Sequence, residues 1–434
     1  MSSVTFQVQN GGQLQGRIRV PGDKSISHRT IMLGSIAEGV TEVTGFLEGE
    51  DALATLNAFR AMGVKIEGPD NGRVVIHGVG MRGLKAPAQA LDLGNSGTSM
   101  RLLAGLLSGQ NFAVEMIGDE SLSRRPMRRV TVPLTEMGAV VETTEKGTPP
   151  LKLKGGQKLK GIDYVMPVAS AQVKSCLILA GLYAAGKTCV TEPAPTRDHT
   201  ERMLRAFGYE VEVTGNRVCV LGGGTLKACR IEVPADISSA TFFMVGAAIA
   251  PGSDVVLEHV GINPTRIGVI NILQGMGADL TLQNERWVGG EPVADIRVRA
   301  SRLKGIEIPE DQVPLAIDEF PALFVAAACA EGQTVLRGAE ELRVKESDRI
   351  QVMADGLKVL GADAQPTPDG MIIRGGRLGG GVVESHGDHR IAMSFAMAAL
   401  RAGGSITIRD CANVNTSFPG FVALARQAGL KISA

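Results

Sequence analysis

Six times along this 434-residue chain, a run too apolar for a one-sided helix gives way to glycine and then to β-branched residues. The runs are IMLGSIAEGVTEV, MRLLAGLLSGQNFAVEM, CLILAGLYAAGKTCVTE, FFMVGAAIAPGSDVVLE, LFVAAACAEGQTVLR and AMSFAMAALRAGGSITI, closing on Gly39, Gly109, Gly186, Gly252, Gly332 and Gly404. A second pattern interleaves with the first: TLNAFRAMGVKIE, PLTEMGAVVE, MLRAFGYEVEV, ILQGMGADLTL, GLKVLGADAQP and ALARQAGLKI. Its glycines are Gly63, Gly138, Gly208, Gly277, Gly361 and Gly429. Two series therefore agree on six repeats of about 70 residues.

The first run of each repeat is apolar nearly all round, which predicts a buried helix. The second keeps polar positions such as Arg60, Glu136 and Arg205 and predicts a helix covering a surface. Glycine after both runs fits a left-handed residue closing a helix. Strands of β-branched residues follow each. A chain of this length exceeds a single core, so two domains of three repeats are expected.

Lys+Arg and Asp+Glu total 45 each, and aromatics are 4%. That balance argues against a nucleic-acid or membrane-surface binder. The cysteines, Cys176, Cys189, Cys219, Cys229, Cys329 and Cys411, form no C-x-x-C pair or framework spacing. Reduced thiols in a cytoplasmic protein are the expectation. MSSVTFQVQNGG has neither the basic start nor the apolar core of a signal peptide, and no apolar run reaches the ~20 residues of a membrane span.

The chemistry lies just before the apolar helices. GDKSISHR (22–29), GNSGTSMR (94–101), ASAQVKS (169–175), ADISSA (235–240), AIDEFP (316–321) and GDHRIAMS (387–394) are Gly-, Ser- or Asp-rich turns. Helix N-termini expose unpaired N–H groups and partial positive charge, so phosphate or carboxylate fits there. Capping accounts for Asp23, Asn95 and Asp236. It does not account for Lys24, Arg29, Arg101 or Arg390, since cations at a helix start oppose the dipole and need an anion. DESLSRRPMRRV (119–130) adds four arginines, and ELRVKESDRI (341–350) places Lys345 and Arg349 at i,i+4 helical spacing. GVGMRG (78–83) spells a dinucleotide motif but is followed by a Pro-containing stretch, and HGDH (386–389) is too sparse for a metal.

PGDKSISHR, GNSGTSMR, RRPM, ASAQVKS, IDEFP, RVKESDR and DHRIAMSF, in that order from residue 20 onward, resemble the signature segments of the 5-enolpyruvylshikimate-3-phosphate synthases. The resemblance implies an α/β fold of two domains, each of three βαβαββ-type repeats, with buried helices, sheets outside and the active site in the interdomain cleft. It sets the domains at 21–235 and at 1–20 plus 236–434. It implies enolpyruvyl transfer from phosphoenolpyruvate to the 5-hydroxyl of shikimate 3-phosphate, by a cytoplasmic monomer with no cofactor or metal. The sister transferase acting on UDP-N-acetylglucosamine is the alternative, but its loop cysteine ahead of Arg-Pro is absent here.

Residue by residue, Lys24, Ser25, Arg29, Ser170, Gln172, Arg197, Asp318 and Lys345 resemble the shikimate 3-phosphate ligands. Lys24, Gly97, Arg125, Gln172, Arg349 and Arg390 resemble the phosphoenolpyruvate site. Asp318 is the implied base, Glu346 the implied proton donor and Lys24 a catalytic contact to both substrates. Some members carry a Lys before the Thr-Phe-Pro near the C-terminus; here NVNTSFP puts Thr416 at that place. Glyphosate-resistant members carry Ala where this chain has Gly97, so a sensitive to intermediate enzyme is expected.

Overall fold

Apolar density decides which helices go inside. The computed structural model describes residues 4–434. The dense runs form the helices Lys24–Ile36, Gly97–Ser108, Ala171–Gly181, Ile237–Ile249, Phe320–Cys329 and His389–Ala398. They are buried almost all round, and Ile237–Ile249 is buried at every residue. The second runs form Glu50–Ala61, Arg128–Glu136, His199–Ala206, Gly268–Gly275, Arg349–Val359 and Phe421–Ala428, on which Arg60, Glu136 and Arg205 are exposed.

The glycine series part ways here. Gly63, Gly138, Gly208, Gly277, Gly361 and Gly429 all close their amphipathic helices with φ between 79° and 116°, the left-handed conformation that glycine adopts without strain. The first series does something else. Gly39, Gly186, Gly252 and Gly332 are left-handed, but lie two to four residues past the cap, in the turn toward the strand. Gly109 is right-handed and is glycine because a Cβ there would sit 2.3 Å from the Tyr183 ring.

Six small sheets share one plan, a parallel pair extended by antiparallel strands. In the second repeat the order is Leu91–Asp92, Val114–Ile117, Leu151–Leu153, Val141–Glu142, with only the first pair parallel. Two lead strands are exchanged. Gln15–Ile18 precedes the first buried helix but pairs in parallel with Asp254–Gly261 of the fourth repeat. Arg230–Glu232 precedes the fourth buried helix but pairs with Glu38–Thr44 of the first. Phe6–Val8 completes the last sheet between Ile406–Arg409 and Ile432–Ser433. The fifth sheet has three strands, and parallel bridges at Lys304 and Glu307 occupy its fourth place.

The chain divides into two compact units, Gly22–Val233 and Met1–Pro21 with Pro234–Ala434, each with three sheets and its own apolar core. Met1–Ser3, the start of the segment read for a signal peptide, lie outside the described residues. No helix among the described residues is long and apolar enough to cross a membrane.

The expectation of six reduced thiols is corrected at one pair. Lys187–Thr191 pairs antiparallel with Arg217–Leu221 in a register that sets Cys189 opposite Cys219, and the two are joined by a disulfide. Strand register made this pair, and a separation of 30 residues gave no pattern to read. Cys176, Cys229, Cys329 and Cys411 are free thiols.

Candidate active site

In the unit Gly22–Val233, three helix N-termini carry the expected turns. Asp23 accepts from the Ile26 N–H at 2.9 Å and Ser170 from the Val173 N–H at 3.3 Å. The cap on Gly97–Ser108 is Ser96, which accepts from the Ser99 N–H at 3.1 Å, and not Asn95 as expected. Asn95 instead uses its side-chain oxygen to accept from Arg125 at 2.8 Å.

Around these caps the cations are held by defined partners. Lys24 Nζ lies 3.0 Å from Asp51, so part of its charge is balanced within the protein. Arg29 is buried and donates to the Thr200 hydroxyl at 2.7 Å, the Ser175 hydroxyl at 2.9 Å and the Ser25 carbonyl at 2.9 Å. Arg197 donates to the Ser25 hydroxyl at 3.3 Å. Arg101 donates to the Gln172 side-chain oxygen at 2.5 Å, and Gln172 donates to the Thr98 hydroxyl at 3.0 Å. A Cβ on Gly97 would sit 3.1 Å from one Arg125 nitrogen and 3.2 Å from one Arg101 nitrogen. Two guanidinium groups therefore close over a helix start that has no side chain. Chemically, that arrangement suits an anion.

His28 is fully buried on the helix that carries Lys24 and Arg29. Its Nδ1 is 2.8 Å from the Thr55 hydroxyl, which touches Ser99 at 2.6 Å, and Ser99 donates to the cap Ser96 at 2.7 Å. Burial, then the charges of Lys24 and Arg29, holds the imidazole well below its usual range. A neutral His28 thus links three helices through hydroxyls, down to the cap of Gly97–Ser108.

In the other unit a second array centres on Arg349, whose side chain is 1% exposed. It donates from Nε to Asp388 at 2.8 Å and from an amino group to Glu346 at 2.7 Å, and it lies 3.4 Å from Asp318. Burial works against its charge, but Asp388, Glu346 and Asp318 together keep the guanidinium protonated beyond its ordinary range. Asp318 lies 3.4 Å from Lys345 as well. Arg390 donates to the Asp318 carbonyl at 3.2 Å, and its backbone N–H is capped by Asp388 at 3.0 Å. Lys345 and Arg349 do not share a helix as the spacing suggested. Lys345 follows the short 3-10 turn Glu340–Val344, and the helix starts at Arg349 behind the cap Asp348. They converge on Asp318 from two elements instead.

The expected residues therefore gather in two arrays: Lys24, Ser25, Arg29, Gly97, Arg125, Ser170, Gln172 and Arg197 in one, Asp318, Lys345, Glu346, Arg349 and Arg390 in the other. Thr416 is buried and donates to the Asn413 carbonyl at 2.6 Å, so that segment offers no cation at its place. The sequence reading missed Asp388 and Asp51, the carboxylates that hold Arg349 and Lys24. Their only linear signal was their place at helix starts. Arg101 had a signal, a cation against a helix dipole, yet the family likeness gave it no role. No cluster of three or more His, Cys, Asp or Glu among the described residues is placed to hold a metal.

The family model for EPSP synthase (3-phosphoshikimate 1-carboxyvinyltransferase) matches residues 8–424. The chain belongs to the EPSP synthase family. It is 72% identical to the 3-phosphoshikimate 1-carboxyvinyltransferase of Methylococcus capsulatus, over 99% of this chain and 98% of that one. It is 70% identical to the enzyme of the same name from Nitrosococcus oceani, over 99% and 97%. Among solved structures, the EPSP synthase of Acinetobacter baumannii superposes with a TM-score of 0.89 at 66% identity, covering 100% of this chain and 99% of that one.

Proposed function

We propose that this chain transfers the enolpyruvyl group of phosphoenolpyruvate to the 5-hydroxyl of shikimate 3-phosphate, releasing phosphate. The observation that carries the reading is the bare N-terminus at Gly97 under the Arg101 and Arg125 guanidinium groups. Each substrate brings a phosphate and a carboxylate, roughly five to six negative charges in all. Lys24, Arg125, Arg349 and Arg390, with Gln172, would hold phosphoenolpyruvate. Ser25, Arg29, Ser170, Gln172 and Arg197 would hold shikimate 3-phosphate, with Lys24 touching both.

The chemistry is addition followed by elimination. Asp318, kept oriented by Lys345 and Arg349, takes the proton of the 5-hydroxyl, and the oxygen attacks C2 as C3 gains a proton. The tetrahedral adduct then loses a proton from C3, the C2–O bond to phosphate breaks, and the vinyl group returns. Acid–base groups and fixed charge carry such a sequence without a covalent enzyme intermediate. Glu346, ion-paired to Arg349 at 2.7 Å, stands ready as an acceptor. To act as the proton donor it must first gain a proton, which an anionic substrate competing for Arg349 would favour.

A phosphate-release assay tests the reading, with each substrate omitted in turn. Release only when both are present is expected. Release with phosphoenolpyruvate alone, or none with both, would overturn it.

A further inference from the structure

Lys174 stands in the first turn of the helix Ala171–Gly181, where a cation opposes the helix dipole, yet its side chain is fully buried. Its ammonium lies 3.1 Å from Glu192 and 2.7 Å from Glu201, both buried as well. The Thr196 hydroxyl donates to the second Glu192 oxygen. Glu201 Oε2 is buried without a hydrogen bond. Burial pushes the Glu192 carboxyl up, against the pull of Lys174 and Thr196. Two carboxylates around one ammonium, all out of water, are a poor source of stability, because desolvation offsets their attraction. What such a triad supplies is position.

Its neighbours show what it positions. Ser175 adjoins Lys174 and Thr200 adjoins Glu201, and their hydroxyls, 2.8 Å apart, receive two of the Arg29 donors. Glu192 and Thr196 brace the 192–198 segment that carries Arg197, whose guanidinium reaches Ser25. The helix that bears Lys174 begins behind Ser170. One ammonium thus ties together two helices and a loop that present Ser170 and Arg197 and, through Ser175 and Thr200, hold Arg29. Gly97 and Arg125 stand on other elements.

We infer that Lys174, Glu192 and Glu201 are positioning residues for the phosphate end of shikimate 3-phosphate, acting through Arg29, Arg197 and Ser170. The inference rests on the reaction proposed above.

Steady-state kinetics on the full-length chain test it. Lys174→Met is expected to raise KM for shikimate 3-phosphate by about tenfold or more, a few tenths of an ångström of misplacement in several ligands. KM for phosphoenolpyruvate should stay within about twofold, and kcat should change less than KM. Glu201→Gln keeps an acceptor for Lys174 and should hold KM near the wild-type value. Should Lys174→Met fail to fold, Lys174→Met with Glu201→Met removes the unpaired carboxylate and should restore Tm while KM for shikimate 3-phosphate stays raised. A double variant with wild-type Tm and wild-type KM would overturn the inference, as would equal rises in both KM values. A wild-type chain that releases no phosphate overturns the reaction and this inference with it. An active wild type with unchanged variants overturns the inference alone.

Discussion

Gly97→Ala adds one methyl at the proposed anion seat, and the structure says what it meets. Gly97 opens its helix without a left-handed φ, so alanine fits the backbone there. Gly to Ala inside a helix is favourable by about 0.5–1 kcal/mol, less at the first position, so Tm should hold or rise slightly. The new Cβ lies 3.1 Å from Arg125 and 3.2 Å from Arg101, short of ordinary contact by about 0.3–0.4 Å. Neither arginine retreats freely. Arg125 is bonded to Asn95 at 2.8 Å, and Arg101 to Gln172 at 2.5 Å and the Pro126 carbonyl at 3.3 Å. Since 1 Å of misplacement costs about 10²-fold, a third of that corresponds to a rise in KM for phosphoenolpyruvate of about fivefold. Glyphosate, a longer phosphonate carboxylate, loses the same space with less room to adjust. Its inhibition constant should rise by about 10–200-fold, the range for one methylene in a shaped pocket. Initial rates with varied phosphoenolpyruvate, with and without glyphosate, give both constants for the two proteins. Equal factors would show that position 97 does not discriminate between the ligands. A marked fall in Tm would show that the methyl disturbs the fold and not the seat.

Asp318→Asn removes the proposed base while keeping size, so turnover should fall by about 10²–10⁴ while calorimetry still shows shikimate 3-phosphate binding; near-normal rates would dismiss the role. Asp388→Ala strips Arg349 of the fully buried carboxylate that it contacts twice, and losing one partner of a buried pair costs about 3–5 kcal/mol. Glu346 and Asp318 remain, so denaturant titration should find a loss near the low end. His28 titrates far lower in the folded state than at its ordinary 6.5, so the unfolded chain takes up a proton that the native state refuses. Its contribution to stability is complete above about pH 6.5 and falls as pH drops below that value. His28→Gln should therefore flatten Tm against pH between about 6.5 and 5, and an unchanged slope would refute the assignment.

The repeats were legible because one physical requirement recurs at each: an amphipathic helix turned back by a left-handed residue, which only glycine adopts cheaply. All six members of that series are left-handed. The first series marked the same period for mixed reasons, a strand-entry turn at Gly39 and crowding against Tyr183 at Gly109. The exchange of lead strands between the first and fourth repeats left no local trace, since Gln15–Ile18 and Arg230–Glu232 read as ordinary strand starts.

The candidate site was read from one rule, that a cation at a helix start demands an anion. The rule is sound, but it does not say whose anion. Lys24 finds Asp51, 27 residues on, Lys174 finds Glu192, 18 residues on, and Arg349 finds Asp388, 39 residues on. Each carboxylate comes from another element, so no spacing announces it. The bonds described for Arg29, Arg101 and Arg125 run mainly to hydroxyls, amides and carbonyls on other elements or turns, which spacing announces no better. A cation paired to a carboxylate of the chain can still meet a substrate anion, as proposed for Lys24 and Arg349, so pairing within the fold does not separate framework from ligand.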